Sequence, residues 1–145
     1  MIVVPQNPEQ AEAMAKFLHD TAGINPSAQL TMIGWVADGK LQMAVGLDSF
    51  IGKTCAIHVG MAKDWNYTPK EMLKVVFDFA FNAAEREMLI GVVNSKNENA
   101  MKYDLHLGFK VEHTIPGMHA DGGDLVILSM KKADCKYLEM KEKAA

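Results

Sequence analysis

An α/β fold is predicted by three observations. Apolar, β-rich runs alternate with segments of helical spacing, in the order β-α-β-β-β-α-β-α-β-β. Two of these runs, Gln29 to Ala37 and Leu41 to Phe50, flank Asp38-Gly39-Lys40, and Asp-Gly between such runs signals a hairpin, hence some antiparallel pairing. The third observation is the unit from Met88 to Phe109. It reads as an apolar strand, an Asn-bearing turn, a short helix with the stripe Ala100, Met101, Tyr103, Leu105 and Leu107, a Gly108 stop, and a new extended segment from Phe109. Ligands of open α/β sheets tend to bind at such strand-to-helix junctions.

The elements follow in chain order. Ile2 to Pro5 is a short apolar strand candidate. A helix opens at Asn7, with Pro8 at its first position and Gln10 three residues after the cap. Ala11, Met14, Ala15, Phe17 and Leu18 make one face of it, and Gly23 ends it. After the hairpin, Ser49 to Lys53 is a turn, and Thr54 to Met61 is a strand apolar enough to be buried on both faces. Lys63 to Tyr67 is a polar and aromatic loop. Thr68-Pro69-Lys70-Glu71 has the pattern of a capping box with Pro at the first helical position. The helix it opens is apolar nearly all round through Phe81 and should pack deeply on the sheet. Leu89 to Val93, the Asn97 helix, Phe109 to Ile115, a Gly-rich loop and Leu125 to Met130 complete the series.

The chain has 145 residues, enough for one domain with a substantial core. Residues 1–133 read as that domain and 134–145 as a charged tail, a short frayed helix at most. Net charge is -3 with no cluster of Lys and Arg, which argues against nucleic acid or an anionic membrane as the main partner. Cys55 and Cys135 are far apart and in no metal-ligand spacing, so reduced thiols and no metal are expected. There is no basic leader and no apolar run near the ~20 residues of a membrane helix, so a cytoplasmic location is expected. The eleven methionines are read as core filler.

The order of elements, with these residues at its centre, resembles the GCN5-related N-acetyltransferase (GNAT) superfamily over nearly the whole chain. Asn97-x-x-Ala100 followed by Gly108-Phe109 is similar to the motif between that family's fifth strand and fourth helix. Glu112, Gly117, Asp121-Gly122-Gly123-Asp124 and Val126 to Met130 resemble the branch that acetylates ribosomal-protein N-termini, and small acetyltransferase-like proteins of tailed bacteriophages. Phe77 to Phe81 is similar to the end of the family's pyrophosphate-facing helix. The resemblance implies a mixed, mostly antiparallel sheet of six or seven strands flanked by helices. It also implies transfer of an acetyl group from acetyl-coenzyme A, as substrate, to an amine: a protein N-terminus, a lysine or a small amine. A homodimer is compatible with this reading.

The family usually carries glycines in the loop before the pyrophosphate-facing helix, where backbone N–H groups turn toward phosphate. Here those positions fall at or near Trp65, Tyr67 and Pro69. The pyrophosphate loop is therefore degenerate, leaving Lys63, Asn66, Thr68 and Lys70 as side-chain contacts for phosphate, helped by the helix dipole. The alternative is a non-catalytic, phage-derived relative that binds a host protein or uses the fold structurally.

Several residues carry two readings. Asn97 is either an amide contact to the coenzyme, as the resemblance implies, or a helix cap; Asn94 and Asn99 share the ambiguity. His58, in the strand Cys55 to Val59, has a titration range suited to taking a proton from an amine, or is a pocket-wall histidine. The resemblance implies that this strand parts from the next, near His58 and Val92, that the pantetheine arm lies in the gap, and that a strand N–H, assigned to Val59, holds the thioester oxygen. Asp104 stands where many family members place a tyrosine acid, and serves only if burial keeps it protonated; otherwise it is a solvated helix-face carboxylate. Tyr103 lies one residue early, about 100° round the helix, and is an acid candidate or core packing. Asp124 could orient an amine or shape the turn, and Trp65 and Tyr67 could stack on adenine or anchor the loop. His19, His106, His113 and His119 read as surface or loop residues.

Overall fold

The computed structural model describes residues 1–138. Its strands are β1 (Ile2–Val3), β2 (Thr31–Ala37), β3 (Lys40–Ile51), β4 (Thr54–Met61), β5 (Met88–Asn94), β6 (Lys110–Ile115) and β7 (Leu125–Lys131). Its helices are α1 (Pro8–Ala22), α2 (Lys70–Asp78) and α3 (Glu98–Leu107). The seven strands form one mixed sheet in the order β1-β2-β3-β4-β5-β7-β6. Every neighbouring pair is antiparallel except β4 and β5, which run parallel.

Local chemistry explains the elements. Asp38 and Gly39 both have positive φ, 54° and 72°, the conformation of a two-residue hairpin turn whose twist suits the strands it joins. Asn7 caps α1 by accepting from the Gln10 N–H at 2.8 Å, and Gly23 closes it in the left-handed region. Asn97 caps α3 through the Ala100 N–H at 3.1 Å, and Gly108 ends it at φ 113°.

The expected capping box at Thr68 does not form. Pro69 stands at the N-cap of α2 and, among the described residues, no side chain caps the helix; the Thr68 hydroxyl is engaged by Tyr103, 2.6 Å away. After Asp78 the helix widens into a π-turn over Phe79–Ala83.

α1 lies on one face of the sheet, where Met14, Ala15 and Leu18 pack on Met32 and Ala44. Space there comes from glycines: a Cβ at Gly60 would fall onto Thr21 Oγ1, and one at Gly46 would press on Leu30 and Leu18. α2 and α3 cover the other face, over the main core of Met43, Val45, Ile57, Met72, Phe77, Leu89 and Leu128. Residues 134–138, expected as the start of the tail, reach this core: Cys135 and Tyr137 are buried, and Tyr137 stacks on Phe77 with ring centroids 5.2 Å apart. Positions 139–145 of the expected tail lie outside the described residues. Among those described, no helix is long and apolar enough to cross a membrane.

Candidate functional site

The site is a parting of the sheet. β4 and β5 pair only at Thr54–Met88, Cys55–Leu89 and Ala56–Ile90, although β4 runs on to Met61 and β5 to Asn94. Antiparallel ladders alternate hydrogen-bonded and non-bonded pairs, which fixes what faces the gap. The Ala62 N–H donates to Gln42 O, so Gly60 and His58 point their backbone groups at β3. Val59, out of phase with them, points its N–H and C=O at β5. Likewise the Ser95 N–H donates to Asp124 O, so Gly91 and Val93 bond to β7 while Val92 faces β4. Val59 and Val92 therefore present backbone polar groups to a slot with no ladder across it. Backbone groups so placed require a partner from outside the sheet.

The slot joins two different environments. On the α2/α3 side, Val45, Ile57, Val59, Met72, Thr68 and Tyr103 line an apolar cavity of about 10 Å³, room for one water at most. The Thr68–Tyr103 hydrogen bond ties α2 to α3 across it. Burial pushes the Tyr103 phenol up to about 12, the Thr68 contact opposing. Asp104 does not line this cavity; burial raises its carboxyl to about 6.

On the α1 side of the slot stands His58, whose Nε2 lies 2.8 Å from Asp48 Oδ1 on β3. Both side chains are mostly buried, His58 at 26% and Asp48 at 15% exposure. Val92, across the gap, is 55% exposed. The sheet face here is thus a partly apolar surface with one imidazole held by one carboxylate.

The remaining predicted contacts scatter around the rim. Lys63, Asn66 and Lys70 are exposed in the loop and first turn of α2. Beside them Trp65 packs against the main core with Tyr67 on its ring, centroids 4.5 Å apart, and its buried indole N–H has no partner among the described residues. Asn97 serves as the α3 cap, with Asn99 exposed in the first turn of α3. Asn94 holds the β6–β7 loop, donating to Asp121 Oδ2 at 2.8 Å and accepting from the Lys96 N–H. Asp121 is lowered by the Gly123 N–H and by Asn94. Asp124 accepts from the Gly117 N–H at 3.0 Å, which is turn chemistry. The slot thus brings together His58, Val59, Thr68 and Tyr103, and leaves Lys63, Asn66, Lys70, Asn97 and Asn99 at its edge. Asp48 escaped the sequence reading. Its only signal was a carboxylate closing the apolar run Met43 to Leu47 of β3, and its partner depends on cross-strand register. Among the described residues no group of His, Cys, Asp or Glu is placed to hold a metal ion.

Seven strands in this order, one parallel junction that opens, and helices on both faces define the GNAT fold. Solved structures share it over nearly the whole chain. An acetyltransferase of the GNAT family from Streptococcus pneumoniae aligns with 15% identity, covering 90% of this chain and 98% of that one, at a TM-score of 0.72. The spermidine N-acetyltransferase of Vibrio cholerae, solved with CoA and spermine, aligns with 11% identity over 95% and 97% at 0.72. YncA of Salmonella typhimurium, a candidate acetyltransferase solved with its cofactor acetyl-CoA, aligns with 11% identity over 91% and 93% at 0.72. No family model matches the chain, and no curated protein matches its sequence.

Proposed function

We propose that this chain moves an acetyl group from acetyl-coenzyme A to an amine. The observation that carries the reading is the parted β4–β5 junction, with unpaired backbone groups of Val59 and Val92 facing one another. An arm bearing amides can bond to both strand edges as an added strand would. A thioester held there meets an amine approaching from the His58 face, so attack is effectively intramolecular.

The amine nitrogen bonds to the thioester carbon, and its proton passes to His58. The Val59 N–H stabilises the oxygen that gains charge. Collapse of the adduct breaks the C–S bond and releases the thiolate. Tyr103, at about 12, is a weaker acid than an ordinary thiol at ~8.5. It therefore supports the thiolate with a hydrogen bond, and solvent supplies the proton. Asp104 is acid enough but lies off the cavity. Lys63, Asn66 and Lys70, with the uncapped α2 terminus, supply the phosphate contacts; Asn97 and Asn99 flank the coenzyme from α3. The acceptor is a protein N-terminus, a lysine or a small amine, the first being what the likeness to the ribosomal-protein branch suggests.

Calorimetric titration with coenzyme A tests the reading. Micromolar to low millimolar binding is expected, and a flat titration at ~10 mM ligand, above the usual KM range, would overturn it. The small cavity, and Trp65, Tyr67 and Pro69 in the place of glycines, favour one second reading: a non-catalytic, phage-derived relative that binds a host protein through the same cleft. A flat titration is the result that reading expects.

A further inference from the structure

We propose that Asp48 is a positioning residue for His58, fixing its ring so that Nδ1 is the lone pair offered to the amine. The inference rests on the acetyl-transfer reading for its purpose and on geometry for its content. A carboxylate only accepts hydrogen bonds, so the 2.8 Å contact between Asp48 Oδ1 and His58 Nε2 places the ring proton on Nε2. Nδ1 is then bare.

The neighbours of the ring on β3 and β4 give it little to wedge against. On its face of the sheet, His58 stands opposite Gly46, and two residues away along β4 are Ala56 and Gly60. None of the three has a side chain large enough to wedge an imidazole. Asp48 is aimed by the strand itself. It is the last regular partner on β3 before the register shifts between Asp48 and Ile51, where Ser49 takes a φ of 51°. Bulges of this kind re-aim side chains beside functional sites. Asp48 has no other side-chain partner among the described residues; its carboxylate has the ring alone to hold.

Three readouts test this. In ¹⁵N-labelled protein with His58 neutral, two-bond ¹H–¹⁵N correlations should show Nε2 protonated and Nδ1 bare. A mixed ring, or a proton on Nδ1, overturns the assignment with no variant needed. In Asp48→Ala, which removes the acceptor from Nε2, the neutral ring should become a mixture of tautomers; a ring that stays wholly protonated at Nε2 overturns the proposal. Kinetically, with the best acceptor from a panel of spermine, lysine amide and a free-N-terminal peptide, Asp48→Asn should lower kcat by about tenfold or more with KM for acetyl-CoA within about twofold. Asp48→Asn/His58→Ala should be no slower than His58→Ala alone. Multiplying losses would mean that Asp48 acts apart from His58. If wild type acetylates nothing on the panel, the transferase reading falls, and the two spectroscopic arms still decide whether Asp48 sets the ring.

Discussion

Replacing Asp104 by Asn should stabilise the protein at neutral pH and not in acid. The Asp104 carboxyl is raised by burial from 3.8 to about 6. Burial disfavours the charged form, so the folded state holds the proton more tightly than the unfolded chain does. The sign follows from linkage. Below 3.8 the group is protonated in both states and nothing is lost. As pH rises through about 6 the folded state must carry a buried charge, and stability falls to a plateau. At about 1.4 kcal/mol per tenfold change in an equilibrium, the gap is worth up to about 3 kcal/mol. Part of the group meets water, so screening trims this, and about 1–3 kcal/mol is the working range. At about 3 °C per kcal/mol for a chain of this size, Asp104→Asn should gain about 3–9 °C in Tm near pH 7.5 over its gain near pH 4. Taking that difference cancels the pH-independent cost of burying the Asn amide. Thermal unfolding by circular dichroism at both pH values measures it. An advantage of equal size at the two pH values would refute burial as the cause of the raised carboxyl.

Three further outcomes are expected. Gly60→Ala should cost about 1–3 kcal/mol by overpacking, since its Cβ falls onto Thr21 Oγ1, and Thr21→Ala should recover much of the loss in denaturant melts. Tyr103→Phe and Thr68→Val each strand the opposite hydroxyl, at about 1–3 kcal/mol apiece; the double variant should cost clearly less than the sum, and additive costs would mean that the hydrogen bond is not made. Gly123→Ala should displace the Asn94 side chain and free the β6–β7 loop, seen as faster hydrogen exchange at the Ser95 and Asp124 amides, with β1 to β3 unchanged.

Much of the scaffold was legible because it is written locally. Asn7-Pro8, Asp38-Gly39, Asn97 and Gly108 each specify their own turn or cap within a few residues, and all four took the conformations expected of them. The parted strands were legible only through the family resemblance. What stayed hidden depends on distant partners. Thr68 had the right neighbours for a capping box, yet a tyrosine 35 residues away takes its hydroxyl. Tyr137 sits between lysine and other tail residues that look solvated, yet its ring finds Phe77. Asp48 meets His58 only after the β3–β4 register and its bulge are known.

The short β4–β5 pairing has a mechanical consequence. Four strands on one side and three on the other are bonded continuously within themselves, while the seam between them is stitched at one end. A small rotation about that stitched end widens or narrows the mouth without straining either panel's own ladders. Whatever fills the seam acts as a rivet, adding a second join between panels already held by the shared core and by the Thr68–Tyr103 hydrogen bond.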